Sequence, residues 1–173
     1  MKHCLTSSIF FILLSFCLIS CSGVRPIELF YTGTNSTMYF IRPFTIQGED
    51  GDVEMDITYR YVAGKRDSNS VVCKFTFYSE WSGIEKVKNA YLLLQPVSER
   101  ITLKDINRYY VERDNNIARY EAHMSFSEFK QFITAQSCTM HIEIPSTTLV
   151  YGPKGTISKV REIVKREMID LID

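Results

Sequence analysis

The chain has 173 residues, and its 20 Lys and Arg balance 20 Asp and Glu, so the formal charge at pH 7 is zero. Net charge therefore gives no indication of nucleic acid or anionic lipid as a partner, and we expect no nucleic-acid binding. Hydrophobic residues make up 45% and aromatic residues 13% of the chain. This composition excludes disorder over most of the chain and is typical of a packed, β-rich domain.

An apolar segment lies near the N-terminus, from Ile9 to Ile19. It is short for a membrane span, which needs about 20 residues, and its length is typical of the hydrophobic region of a signal peptide. The segment leads into Leu18, Ile19, Ser20 and Cys21. An aliphatic residue thus lies three positions before the cysteine, and a small residue lies directly before it.

This ending resembles the lipobox of bacterial lipoproteins, and the resemblance covers residues 1–21 only. It implies that the peptide is cut before Cys21, that the Cys21 thiol receives diacylglycerol, and that the new amino group is acylated with a fatty acid such as palmitate. The n-region departs from the pattern, because Lys2 is its only firm positive charge. The alternatives are an uncleaved signal anchor and a eukaryotic secretory signal cut nearby.

On this resemblance we expect a signal peptide (1–20) and a lipidated N-terminus and tether (21–36), followed by a single β-rich domain (37–173). Within the tether, the apolar run 27–31 is a candidate first edge strand. The resemblance implies a bacterial cell-envelope location with a lipid anchor in the membrane. In surface-exposed lipoproteins of some bacterial groups, acidic residues follow the cysteine closely, whereas here the first is Glu28. This departure favours the periplasmic face over the cell surface.

Alternation of apolar and polar residues predicts most of the strands. In the first, Met38, Phe40, Phe44 and Ile46 are expected on one face, and Pro43 indicates an edge position or a bulge. Residues 53–61 alternate most clearly, and 71–77 repeat the pattern. Residues 87–96 are apolar on both faces and predict a central strand. Residues 101–103 predict a short strand, 107–112 and 117–124 a hairpin, and 138–144 a further strand.

Two helices are predicted late in the chain. Ser125 and Glu128 form a capping box, so a short helix is expected near 126–135. A second helix is expected near 156–171, with this apolar stripe: Ile157, Val160, Ile163, Val164, Met168 and Leu171. The predicted fold class is therefore β-rich α+β, an antiparallel β-sandwich or curled sheet with these two helices.

Two cysteines, Cys73 and Cys138, remain outside the signal peptide and lipobox. Each shares its strand face with large apolar residues, so we expect both to point inward. A disulfide between them stays open, because it requires Cα atoms within about 7 Å of each other.

Two imidazole–carboxylate pairs lie on polar strand faces, Glu121 with His123 and His141 with Glu143. Such pairs can bind a divalent metal or act as acid and base, but solvated His and Glu are ordinary on such faces. No metal, nucleotide or nucleophile-elbow motif is present. We therefore predict no metal site, no cofactor and no catalytic residue.

The only tryptophan, Trp81, lies at a predicted turn close to Tyr78. Such aromatics can stack on a sugar or peptide, or fold back over the end of a sandwich. The sequence favours a non-catalytic accessory or binding role, with an unknown envelope protein or glycan as partner and with Trp81 and Tyr78 as ligand contacts. The alternative is an envelope hydrolase acting on glycans or peptides through carboxylates that the sequence does not single out.

Overall fold

The computed structural model describes residues 25–33, 35–64, 70–112 and 116–172. The predicted signal peptide and Cys21 lie outside these residues. Ten strands are described: β1 (Ile27–Gly33), β2 (Ser36–Gly48), β3 (Gly51–Val62), β4 (Ser70–Tyr78), β5 (Asn89–Gln95), β6 (Glu99–Thr102), β7 (Lys104–Glu112), β8 (Ile117–Ser125), β9 (Ser137–Glu143) and β10 (Thr148–Tyr151).

The strands form two antiparallel sheets. The larger has the order β1-β2-β3-β4-β8-β7, and the smaller has the order β10-β9-β5-β6. Both contribute apolar side chains to one buried core, together with the helices. The expected β-rich α+β class is confirmed, and β10 is a strand that the sequence pattern did not predict.

The strand expected at 27–31 is present as β1, at one edge of the larger sheet. It pairs with β2 in the register Ile27 with Ile41 and Phe30 with Met38. This strand lies within the segment that we assigned mainly to a tether.

A bulge in β2 changes which side chains reach the core. Its pairing with β3 shifts between Ile41 and Phe44. Odd-numbered residues therefore face the core before the bulge, and even-numbered residues face it after the bulge. Ile41 is buried, whereas Met38 and Phe40 are only half-buried. The expected shared face of Met38 and Phe40 with Phe44 and Ile46 is therefore wrong, and Pro43 marks the bulge.

The run 87–96 is also less buried than expected. In β5, Ala90, Leu92 and Leu94 are buried, but Tyr91 and Leu93 are half-buried on the outer face. The strand is internal to the smaller sheet, yet only one of its faces is covered by the core. The outer apolar side chains are instead shielded by neighbours such as Arg100, whose guanidinium lies 3.6 Å from the Tyr91 ring centroid.

The short helix α1 (Phe126–Thr134) begins as predicted. Glu128 N donates to Ser125 Oγ at 3.2 Å, and Ser125 N donates to a Glu128 carboxylate oxygen at 2.7 Å. Both halves of the capping box are therefore formed and satisfy backbone donors that the helix leaves free.

The C-terminal segment is not one regular helix. It comprises α2 (Ile157–Val164), a π-helical turn (Lys165–Ile169) and α3 (Asp170–Ile172). The wider π turn shifts the apolar stripe by about one residue, so Ile172 is buried and Leu171 is 78% exposed. The predicted core position of Leu171 is wrong for this reason.

Cys73 and Cys138 are both buried, which confirms that they point inward. Both thiols are free, so the structure does not form the disulfide that the sequence left open. Burial raises the pKa of the Cys138 thiol from 9.0 to about 11, and the nearby Arg161 opposes this rise.

Candidate functional site

Three chain segments bring loops together around Trp81. The β2–β3 turn supplies Glu49 and Asp50, the end of β4 leads through Tyr78 to Trp81, and Asn116 precedes β8. Strands β2, β3, β4 and β8 lie close together in the larger sheet. The site is therefore formed by loops at one end of that sheet.

Backbone and side-chain hydrogen bonds hold the loop that carries Trp81. Ser79 N donates to the Asn116 carbonyl at 3.0 Å, and Trp81 N donates to Ser79 Oγ at 3.1 Å. Ser79 is buried. These contacts tie the Trp81 backbone to the strand ends, so the indole is presented from an anchored turn.

An open groove of about 480 Å³ lies beside Trp81, and we call it the Trp81 groove. Trp81 is 54% exposed and Tyr78 is 48% exposed, so neither ring is folded into the core. The other polar side chains are three carboxylates, an amide and a hydroxyl, from Glu49, Asp50, Glu80, Asn116 and Ser79. The charged side chains that line the groove among the described residues are the three carboxylates.

The β2–β3 turn is fixed from the other side by β10. Val150 N donates to Asp50 Oδ2 at 2.8 Å, and Gly152 N donates to the Gln47 carbonyl at 2.7 Å. A Cβ at Gly48 would lie 2.4 Å from the Val150 carbonyl oxygen, so only glycine permits this approach. The turn that carries Glu49 and Asp50 is therefore held in place by contacts with β10 and the residue after it.

The pair Glu121 and His123 lies on the outer face of the larger sheet, as their strand parity predicts. His123 Nε2 is 3.9 Å from Glu121 Oε1, and Lys74 Nζ is 3.6 Å from Glu121 Oε2. Lys74 also lies 5.0 Å from the Tyr109 ring centroid. Glu121 thus has a cationic neighbour, and this arrangement resembles an ordinary polar sheet surface.

His141 and Glu143 each contact a different partner and not each other. His141 Nε2 is 2.9 Å from Thr139 Oγ1, and its ring stacks on Tyr91 with centroids 4.7 Å apart. Glu143 instead lies 3.6 Å from Arg100. Burial lowers the pKa of His141, Arg100 lowers it further, and Glu143 opposes both.

One buried polar cluster was not anticipated from the sequence. Asp56 is only 6% exposed although it lies on the outer face of the larger sheet. Arg119 donates to Asp56, and it donates to Thr76 Oγ1 at 2.8 Å. These residues lie on β3, β8 and the intervening β4, so only the strand order reveals them.

Within the described ranges, no group of three or more His, Cys, Asp and Glu side chains is placed to hold a metal ion. Among the helices described, none is both long and apolar enough to cross a membrane. Comparison of the chain with protein-family models, curated proteins and solved structures finds no match.

Proposed function

We propose that this protein is a lipid-anchored protein of the bacterial cell envelope with a non-catalytic binding role. The resemblance of Leu18 to Cys21 to a lipobox supports the anchor and the location. The Trp81 groove supports the binding role, because it presents two exposed aromatic rings beside hydrogen-bonding groups. The periplasmic face remains favoured over the cell surface.

The single observation that carries the binding role is the exposure of Trp81 on an anchored turn. A tryptophan that packed over the core would be buried, whereas this ring is 54% exposed. Aromatic rings provide flat apolar area for sugars and for apolar parts of peptides. Cations also bind over aromatic faces, with tryptophan the best.

The carboxylates that line the groove narrow the class of ligand that it can bind. Glu49, Asp50 and Glu80 offer carboxylates around Trp81, and Asn116 offers an amide. Such groups complement a ligand with hydroxyl groups and a positive charge. We therefore propose an envelope glycan or peptide that carries an amine as the ligand.

The test uses solubilised peptidoglycan fragments as the probe. Trp81 is the only tryptophan, so a titration of intrinsic fluorescence reports directly on the groove. Calorimetry of Trp81→Ala and Glu80→Gln should then show weaker binding than in the wild-type protein. Tyr109→Ala is the matched control, because Tyr109 is exposed but does not line the groove.

We expect a saturable fluorescence change and a loss of at least about fivefold in affinity for Trp81→Ala, from the contribution of about 1 kcal/mol typical of an aromatic contact. Equal affinity in Trp81→Ala and Tyr109→Ala would contradict the assignment of the groove. Hydrolysis of the fragments that is lost in Glu121→Gln would instead support the alternative, an envelope hydrolase.

A further inference from the structure

A second groove lies where the start of β1, the bulge of β2 and α2 meet. It encloses about 270 Å³, and we call it the α2 groove. Its apolar lining comes from Pro26, Pro43, Val160 and Ile163, and its charged lining comes from Arg42 and Lys159. It is separate from the Trp81 groove and shares no residue with it.

The β2 bulge sets one wall of this groove. Arg42 N donates to the Pro26 carbonyl at 2.8 Å, which ties the bulge to the first residues of the described chain. On the α2 side, Thr45 N donates to Thr156 Oγ1 at 2.9 Å and fixes the start of the helix against β2. The walls of the groove are therefore held in place by hydrogen bonds.

Both charged side chains that line the groove are positive, although the whole chain is neutral. Arg42 forms an ion pair with Glu28, which offsets its charge. Lys159 is exposed, and no ion pair of this side chain occurs among the described residues. Arg25 is exposed directly before Pro26. Lys159 is therefore the uncompensated cation in the groove lining, and Arg25 adds a second exposed cation next to Pro26 in the chain.

The length of chain between Cys21 and the groove limits its distance from the bilayer. Pro26 lines the groove and follows Cys21 by five residues. A chain spans at most about 3.5 Å per residue, so Cys21 lies within roughly 18 Å of Pro26. With acyl chains on Cys21 inserted in the membrane, the groove must stay near the lipid headgroups.

We infer that the α2 groove binds the headgroup of an anionic phospholipid in the membrane that holds the lipid anchor. This inference rests on the proposed acylation of Cys21. Lys159 and Arg25 meet the phosphate charge, and the apolar floor formed by Val160 and Ile163 meets the glycerol and upper acyl region. The domain then lies against the bilayer along its β1 and α2 side.

This orientation would keep the Trp81 groove away from the membrane. Pro43 lies in the α2 groove, and Glu49 lies in the Trp81 groove, six residues further along β2 and its turn. At about 3.3 Å per residue, this stretch of chain places Pro43 and Glu49 up to roughly 20 Å apart. The ligand site would therefore face the aqueous space of the envelope.

The test places a fluorescent label beside the groove in the lipidated protein. Ser158 is exposed next to Lys159, and Cys73 and Cys138 are buried, so Ser158→Cys can be labelled selectively in the native state. The protein is reconstituted into vesicles of phosphatidylcholine, alone or mixed equally with phosphatidylglycerol. Headgroup nitroxide lipids in both vesicle types quench a label that touches the bilayer. A label at Ser82→Cys, in the exposed turn near Trp81, is the control position.

We expect strong quenching at position 158 with phosphatidylglycerol, weak quenching without it, and little quenching at position 82 in either case. Each cationic side chain near an anionic membrane surface strengthens membrane binding by about fivefold. Lys159→Glu should therefore lower the ratio of domains docked on the bilayer to undocked domains by about fivefold or more. Lys86→Glu is the charge-matched control, because Lys86 is an exposed lysine outside the groove, and it should change the ratio little.

Equal quenching at position 158 in the two vesicle types, or no effect of Lys159→Glu, would overturn the headgroup site while leaving the anchor intact. Saturable binding of soluble glycerol phosphate that is lost in Lys159→Glu, with no added quenching at position 158 in phosphatidylglycerol vesicles, would point to a free phosphate ligand and also overturn it. Failure of the wild-type protein to stay with either vesicle type is a different result, and it would contradict the lipid anchor itself.

Discussion

Arg119 in β8 forms an ion pair with Asp56 in β3 across the intervening strand β4. The same guanidinium donates to Thr76 on β4 at 2.8 Å, so one side chain links three strands. Asp56 is buried, and the Arg119 side chain is 29% exposed. Removing the cation would leave a buried carboxylate without its partner.

We therefore expect Arg119→Ala to lower the free energy of unfolding by about 3 kcal/mol, near the low end of the range for breaking a buried ion pair. Urea denaturation followed by circular dichroism measures this value. Arg108→Ala is the control, because Arg108 is exposed on the edge strand β7, and a loss below about 0.5 kcal/mol is expected there. Equal losses in both variants would show that the ion pair is not stabilising.

The buried thiols predict a dependence of stability on alkaline pH. Burial raises the pKa of Cys138 to about 11 in the folded protein, whereas the unfolded thiol ionises near 9.0. The unfolded chain therefore loses its proton first, and stability falls as pH rises from about 9 to 11. In Cys138→Ala this part of the fall should be absent, which thermal unfolding across that pH range measures. A fall of the same size in both proteins would contradict the prediction.

His141 should titrate below its ordinary pKa of about 6.5, because burial and then Arg100 lower it against the pull of Glu143. Its imidazole is thus neutral at pH 7. Nuclear magnetic resonance of the ring protons measures the midpoint. Arg100→Gln removes one lowering charge and should raise the His141 midpoint, while Arg108→Gln should leave it in place. A midpoint that does not respond to Arg100→Gln would exclude this electrostatic coupling.

Gly48→Ala should disrupt the junction of β2 with β10. The added Cβ would lie 2.4 Å from the Val150 carbonyl oxygen and 2.6 Å from Tyr151 Cα, and both are backbone atoms that cannot rotate away. We expect a loss of about 3 kcal/mol in the free energy of unfolding, at the upper end of overpacking effects. Because Asp50 is held by Val150 N, binding at the Trp81 groove should weaken as well. An unchanged stability would contradict this account of the turn.

Sequence patterns predicted the elements well where a local signal exists. Ser125 and Glu128 define the start of α1 through contacts three residues apart, and these contacts are formed. The clear alternation over 53–61 likewise matches the buried side of β3. In both cases the determining interactions lie within one element or within one face of a strand.

The errors have non-local or irregular causes. The β2 bulge inverts the parity of Met38 and Phe40, and the π turn exchanges Leu171 for Ile172 in the core. The bulge and the π turn both change the regular spacing of inward-facing residues on which the sequence prediction was based. Glu49 and Asn116 were not predicted as neighbours of Trp81, because only the strand order brings their loops together.

The proposed envelope location and the proposed headgroup site in the α2 groove both depend on the acylation of Cys21. Mass spectrometry of the protein purified from bacterial membranes tests this most directly. We predict that the mature wild-type chain begins at Cys21 and carries diacylglycerol on the thiol and a fatty acid on the amino group. The Cys21→Ser variant should keep its full-length signal peptide. A mature chain that begins at another residue, or that keeps residues 1–20 with an unmodified Cys21, would contradict the account.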